Sequence, residues 1–303
     1  MIKQTFTLQS KYDDLPLSVL LIAPEENPKG IVQIVHGMAE HKNRYEDLMS
    51  FLAGNGYACV CHDHRGHGES ILNKEDKGWF GDYEGTAVVD DTVLVTEYIK
   101  GLYPNLPLTL FGHSMGSLVV RCYAQEYDDR IDKLVVCGSP SKNPLSGVAI
   151  FLEKTIRLFC GARHRSKLLN FLSTGKGDEQ FPGEGKKAWL SANRANVEAY
   201  LADENCGYIF TCNGYENLFK LLRRTYQKEK YQVKNPNLPI YFIAGEKDPV
   251  IVSEEAWRSA IADMQAVGYH KVTAKLYEGM RHEIHNESGN QAVYEDLLEF
   301  LNA

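Results

Sequence analysis

Gly112-His113-Ser114-Met115-Gly116 places a serine between two glycines, with an apolar run (Leu106 to Phe111) before it and the helix-like LVVRCYAQEY after it. On a sharp strand-to-helix turn the hydroxyl of such a serine projects above the sheet edge. A serine hydroxyl is a weak nucleophile until a base removes its proton, and that base needs a third group to orient it. In a strand–helix alternating chain the partners follow in the order serine, acid, histidine, each just past the end of a strand. Asp248 in YFIAGEKDPV and His282 in LYEGMRHEIHNE meet that condition. His285 is the competing imidazole; His282 is preferred because it lies nearer the strand end. The plainer alternatives are an idle serine in a tight turn, an aspartate capping a helix at Pro249, and a surface histidine.

Attack on a carbonyl builds negative charge on its oxygen, which two preorganised N–H donors can hold. The backbone amide after the serine, Met115, is one candidate. The other is the amide of Met38, where the apolar run GIVQIV ends in His36-Gly37-Met38. Gly37 permits a close approach there, although a plain strand-ending turn would also contain it.

Two further clusters invite other chemistry. His62, His64 and His67 beside Asp63, in HDHRGHGES, have the histidine spacing of a dinuclear metal motif. That motif needs converging imidazoles and a carboxylate, but its carboxylate position is Gly66 and no second ligand cluster follows. A loop braced by Asp63, Arg65 and the glycines is the expected reading, with no metal and no cofactor; His41, after Glu40, is expected to be structural as well. Asp178, Glu179, Asp203 and Glu204 could hold a substrate's free amine, or they could simply be solvated charges.

The elements that must position these residues follow from periodicity. Lys3 to Gln9 and Leu15 to Ile22 read as an antiparallel hairpin. Gly30 to Val35, Tyr57 to His62, Lys133 to Cys137, Leu238 to Ala244 and Val272 to Tyr277 read as strands, with helices between them near Tyr45 to Ala53 and Thr86 to Tyr103. Later helices are expected near Ser253 to Val267 and Gln291 to Leu301. This is an α/β rhythm that predicts a mostly parallel sheet. It breaks after residue 140 and resumes near 236. The expected organisation is a core of residues 1–140 and 236–303 with a helical cap inserted at 141–235. In the cap, Val148 to Leu172 is apolar with Lys154, Arg157, Arg163, Arg165 and Lys167 interspersed. Such a helix could roof a pocket and touch a membrane surface transiently, or it could pack on the cap's own core.

The 303 residues carry a net charge of −7 and no long basic run, which argues against a nucleic-acid partner. Seven cysteines, an odd number without a C-x-x-C pair, fit reduced thiols. No signal-like or membrane-spanning segment is evident. A cytoplasmic location is the expectation; the oligomeric state is open.

HGMAEH, DHRGHGES, GHSMGS, AGEKDPV and EGMRHEIHNE together resemble the α/β-hydrolase superfamily. The similarity is greatest to its monoacylglycerol lipase and lysophospholipase-like branch, which also takes in serine aminopeptidases. The resemblance spans residues 30–140 and 238–303; the 202–215 segment is similar to cap segments of bacterial members. It implies the α/β-hydrolase fold, with nucleophile, acid and base on Ser114, Asp248 and His282 and oxyanion amides on Met38 and Met115. It also implies a lipid or small-molecule ester substrate, of monoacylglycerol or lysophospholipid type. The bulky Met38 departs from the small residue of well-known members and could narrow the pocket. The alternatives are an aminopeptidase or amidase with the same triad, and a non-catalytic ligand-binding homologue.

Overall fold

In a computed structural model, all residues except 143–145 and 176 are described. Eight strands form one sheet in the order β1-β2-β4-β3-β5-β6-β7-β8. The hairpin β1 (Ile2–Gln9) and β2 (Pro16–Ala23) is antiparallel, and β2 also meets β4 (Tyr57–His62) antiparallel. From β4 onward every pairing is parallel, through β3 (Gly30–Val35), β5 (Leu108–His113), β6 (Lys133–Cys137), β7 (Ile240–Gly245) and β8 (Val272–Tyr277). The mostly parallel sheet is what the alternating pattern predicts, and the fold is that of an α/β-hydrolase, as the resemblance implies.

The central strands are apolar because both their faces are covered. In β3, Ile31 and Val35 enter a core shared with α2 (Ala87–Leu102) and α3 (Met115–Tyr127). Val32 and Ile34 enter the opposite core, with α1 (Glu46–Gly54) and α9 (Asn290–Asn302). Gln33 breaks the apolar run without cost. Its amide donates to Thr92 O at 2.9 Å, and its carbonyl accepts from Thr96 Oγ1 at 2.7 Å. The helix α8 (Glu254–Ala266) joins the first core through Trp257, Ala260 and Met264.

Between β6 and β7 the described residues form helices and no strand: α4 (Ser146–Cys160), α5 (Lys167–Asn170), α6 (Arg194–Ala202) and α7 (Cys212–Thr225). The single long helix expected across Val148 to Leu172 is not what forms. Gly161 adopts φ +87° and ends α4, and α5 is a separate short helix capped by the Ser166 hydroxyl. Periodicity alone did not show this break. At the serine, β5 continues through His113, Ser114 is the hinge and α3 begins at Met115, the strand–turn–helix order expected of this stretch. No helix among the described residues is long and apolar enough to cross a membrane.

Candidate active site

Ser114 sits at φ 53°, ψ −119°, a conformation that L-residues rarely adopt. Holding it there costs on the order of 1–3 kcal/mol. The surroundings enforce it. Ser114 N donates to Cys137 O at 3.0 Å, and a Cβ on Gly116 would lie 2.0 Å from Val35 O. A Cβ on Gly112 would meet Gly116 O at 2.4 Å, so both flanking glycines are needed for strand and helix to approach. The turn leaves Ser114 half-buried among fully buried neighbours, facing a cavity of about 490 Å³.

His282 lines the same cavity. Its Nδ1 lies 2.9 Å from Asp248 Oδ2, and both side chains are buried. A donating Nδ1–H fixes the tautomer and leaves Nε2 as the basic nitrogen. Asp248 Oδ1 accepts from Val250 N at 2.8 Å, which orients the carboxylate. Gly138, at φ +54°, allows the pair to sit against β6; a Cβ there would lie 3.2 Å from the His282 ring and 3.3 Å from Asp248 Oδ2. Trp189 packs on His282 with ring centroids 5.1 Å apart. His285, the competing imidazole, is instead buried and stacked on Tyr45 at 4.7 Å.

Met38 and Met115 both line the cavity, and neither backbone amide donates to a protein acceptor among the described residues. Met115 is the first residue of α3, so its N–H belongs to the unpaired donors at the positive end of that helix. The loop carrying Met38 is held by Glu40, which accepts from Gly37 N at 2.5 Å and from Tyr45 Oη at 2.8 Å.

This brings in residues that sequence reasoning missed. Glu40 faces His113 Nδ1 at 3.4 Å and Arg44 Nε at 3.4 Å, and Arg44 also meets Glu283 Oε2 at 2.5 Å. Burial alone would raise the Glu40 carboxyl and lower His113. Their mutual hydrogen bond and opposite charges win, holding Glu40 well below and His113 above their ordinary values. His113 and Glu283 come from segments far from Glu40 and Arg44 in the chain, so no local pattern could have disclosed those two contacts. The one sequence signal was five titratable residues in HGMAEHKNR.

The histidines of HDHRGHGES pack beside His36 as a buried ring cluster, with centroids 4.3 to 6.0 Å apart. Their nitrogens do not converge on a common ligand position among the described residues. Asp63 instead binds Lys42 Nζ at 2.8 Å, and Arg65 binds Asp91 and Asp13, so the loop is braced by buried ion pairs. Two other sets do converge: His41, Asp203 and Cys206, and His113, Cys137 and His285. In the first set His41 Nε2 already pairs with Asp203 at 2.8 Å, which ties the Met38 loop to residues following α6. None of Asp178, Glu179, Asp203 and Glu204 lines the cavity.

A family model described as serine aminopeptidase, S33, matches residues 26–289. The chain belongs to that family. Among curated relatives, a monoacylglycerol lipase of Mycolicibacterium smegmatis is 26% identical, covering 92% of this chain and 90% of the relative. A probable lysophospholipase L2 of Haemophilus influenzae is 31% identical, covering 76% of this chain and 72% of its own. Among solved structures, a thermostable carboxyl esterase from Bacillus coagulans, in complex with glycerol, superposes with a TM-score of 0.91 at 26% identity. That match covers 100% of this chain and 98% of the esterase. The S33 fold in this chain thus arrives with a cavity that opens onto Ser114 and His282.

Proposed function

We propose that this S33 member is a serine hydrolase that cleaves a carboxylic ester of a lipid bearing one acyl chain, through an acyl-enzyme. The observation that carries this is a strained Ser114 sharing one cavity with a His282 held by Asp248. Ser114 Oγ attacks the ester carbonyl while His282 Nε2 takes its proton. The Met38 and Met115 amides receive the oxyanion. The tetrahedral species collapses, the C–O bond breaks, and His282 returns the proton to the leaving alcohol. Water, deprotonated by the same imidazole, then frees the acid. Asp248 steadies the imidazolium in both halves. None of these steps calls on a metal or a cofactor.

Residues 141–235 act, in this reading, as a cap that shapes the substrate site. Leu152 of α4, Leu218, Phe219 and Leu222 of α7 and Leu118 of α3 supply an apolar wall suited to an acyl chain. The outer side of α4 exposes Phe151, Leu158 and Phe159 beside Lys154, and α5 with the turn after it exposes Leu168, Phe171 and Leu172. This face supports transient contact with a lipid surface, from which a single-chain lipid would pass inward. The lipase and lysophospholipase names of the relatives agree with the ester reading. The cap carboxylates, absent from the cavity wall, do not favour an amine-holding peptidase site.

A labelled fluorophosphonate and a panel of p-nitrophenyl esters, monoacylglycerols and an aminoacyl anilide test this. Labelling and ester turnover by the wild type, both lost in Ser114→Ala, are expected. Turnover of the anilide alone, or activity that survives in the variant, would overturn it.

A further inference from the structure

Lys187 is a half-buried lysine on the wall of the active-site cavity. Its ammonium makes no hydrogen bond and no ion pair among the described residues. The carboxylate of Asp178 accepts at 3.0 Å from the Lys187 backbone N–H rather than from the side chain. Burial pulls its pKa below the ordinary lysine value, with Asp178 opposing. The backbone is held at φ 57°, ψ 22°, a left-handed conformation uncommon for a side chain with a Cβ. A strained residue that keeps a partly buried cation without an ion-pair partner on a cavity wall is costly, and such cost collects where it serves a ligand.

The position says which ligand group. Lys187 Nζ lies 5.6 Å from the centre of the Trp189 ring, and Trp189 packs directly on His282. In ester cleavage His282 delivers its proton to the departing alcohol, so the alcohol part occupies the His282 side of the site. The wall formed by residues 177–190 therefore borders the alcohol, whereas α3, α4 and α7 border the acyl chain. The other charged side chains on that cavity are Glu40 and Glu283, and both are already paired with Arg44. Among the described residues of the cavity wall, Lys187 is left as the charge without an ion-pair partner.

We propose that Lys187 is a specificity-determining residue that binds an anionic phosphate on the alcohol part of the substrate. The preferred substrates are then single-chain acyl esters of a glycerol phosphate rather than neutral monoacylglycerols. This rests on the ester-hydrolase reading above. An ammonium–phosphate contact in a partly desolvated site is a strong charge-assisted hydrogen bond, and Lys serves it as a point charge.

The test compares 1-decanoylglycerol, 1-decanoylglycerol 3-phosphate and 1-decanoylglycerophosphoglycerol as substrates of the wild type, Lys187→Gln and Lys187→Arg. The ratio of kcat/KM for phosphate esters to that for the neutral ester is expected to fall roughly ten- to a hundredfold in Lys187→Gln, mainly through KM. Lys187→Arg is expected to restore most of that ratio. The two phosphate esters separate a terminal phosphomonoester from a bridging phosphodiester as the preferred anion. An unmoved ratio in Lys187→Gln overturns the proposal. A second readout does not depend on turnover: calorimetric binding of the decanoyl glycerol phosphate to Ser114→Ala with and without Lys187→Gln. Equal binding overturns the assignment of Lys187. Failure of every ester to turn over would instead overturn the hydrolase reading and leave this binding comparison to decide the role of Lys187.

Discussion

His113 Nε2 lies 3.2 Å from the backbone carbonyl oxygen of His282, so the residue preceding the proposed nucleophile grips the residue proposed to activate it. Its other nitrogen faces Tyr45 Oη at 3.0 Å and Glu40 at 3.4 Å. The Met38 loop, the serine turn and the histidine loop therefore share one buried imidazole.

This link has a predictable pH signature. Glu40 holds the folded-state pKa of His113 above its ordinary value, against the effect of burial. A raised folded pKa stabilises fully below the unfolded value, about 6.5, and that stabilisation is lost as pH rises through the folded one. Glu40 is held well below its ordinary value, so its contribution is present above about pH 4.3 and lost in acid. His113→Leu should thus cost about 2 kcal/mol near pH 6 and distinctly less at pH 9. Urea midpoints at the two pH values measure it; an equal cost at both would deny the charged pair.

Ser114 makes opposite predictions for activity and stability. Ser114→Gly removes the hydroxyl and relieves the positive φ of 53°. Ester turnover should fall to background while stability rises by about 1 kcal/mol, read as a higher Tm. Asp248→Asn should keep the fold but lower kcat by roughly 10⁴, because the imidazole loses the partner that sets its tautomer. A Tm no higher for the glycine variant would mean that the turn carries no strain.

Much of this arrangement can be read in the chain because each local signal has a local cause. The apolar runs of β3, β4 and β6 are buried on both faces, so composition marks them to the residue. Gly112 and Gly116 are demanded by contacts of 2.4 and 2.0 Å, and a strand followed by a helix makes that demand visible. What stayed hidden depends on contacts between distant segments. Glu283 looks like one more charge in EGMRHEIHNE, and only the fold brings Arg44 and Asn196 to it. Trp189 and Lys187 carry no pattern at all, because their significance lies in reaching His282 from a segment without regular periodicity. The end of α4 at Gly161 is hidden for a related reason: the apolar residues continue past it, serving an exposed face rather than one helix.

The buried histidines predict acid sensitivity. Burial pushes His62 and His67 down to about 4 and places His36, His64 and His285 well below their ordinary value. A histidine whose folded pKa is lowered takes up a proton on unfolding, so stability is full above about pH 6.5 and falls below it. Each contributes about 1.4 kcal/mol per pH unit in that range. Several acting together should make unfolding between pH 6 and 4 steep. Among the described residues neither ring nitrogen of His62 has a hydrogen-bond partner, so His62→Leu should reduce the slope of stability against pH by one proton. Chemical denaturation at closely spaced pH values reads that slope, and an unchanged slope would show that His62 is protonated in the fold.

The junction of α4 and α7 carries the opposite sign. Glu153 is fully buried against Glu216, and burial together with that neighbouring charge lifts its carboxyl to about 7, with Arg157 at 3.2 Å opposing. The folded state then holds a proton that the unfolded chain releases above about pH 4.3, so stability declines from there to about pH 7 and stays reduced above it. Glu153→Gln mimics the protonated form. It should match the wild type within a few tenths of a kcal/mol near pH 4 and exceed it by roughly 3 kcal/mol at pH 8. Arg157 and Lys220 remain on Glu216 in the variant, at 3.6 and 3.1 Å, so that carboxylate is not left alone. Measuring Tm for both proteins at each pH cancels the histidine effect, which is common to them. A variant no more stable than the wild type at pH 8 would place the Glu153 charge in a well-solvated or well-paired setting, and the α4–α7 junction would then carry no penalty for ionisation.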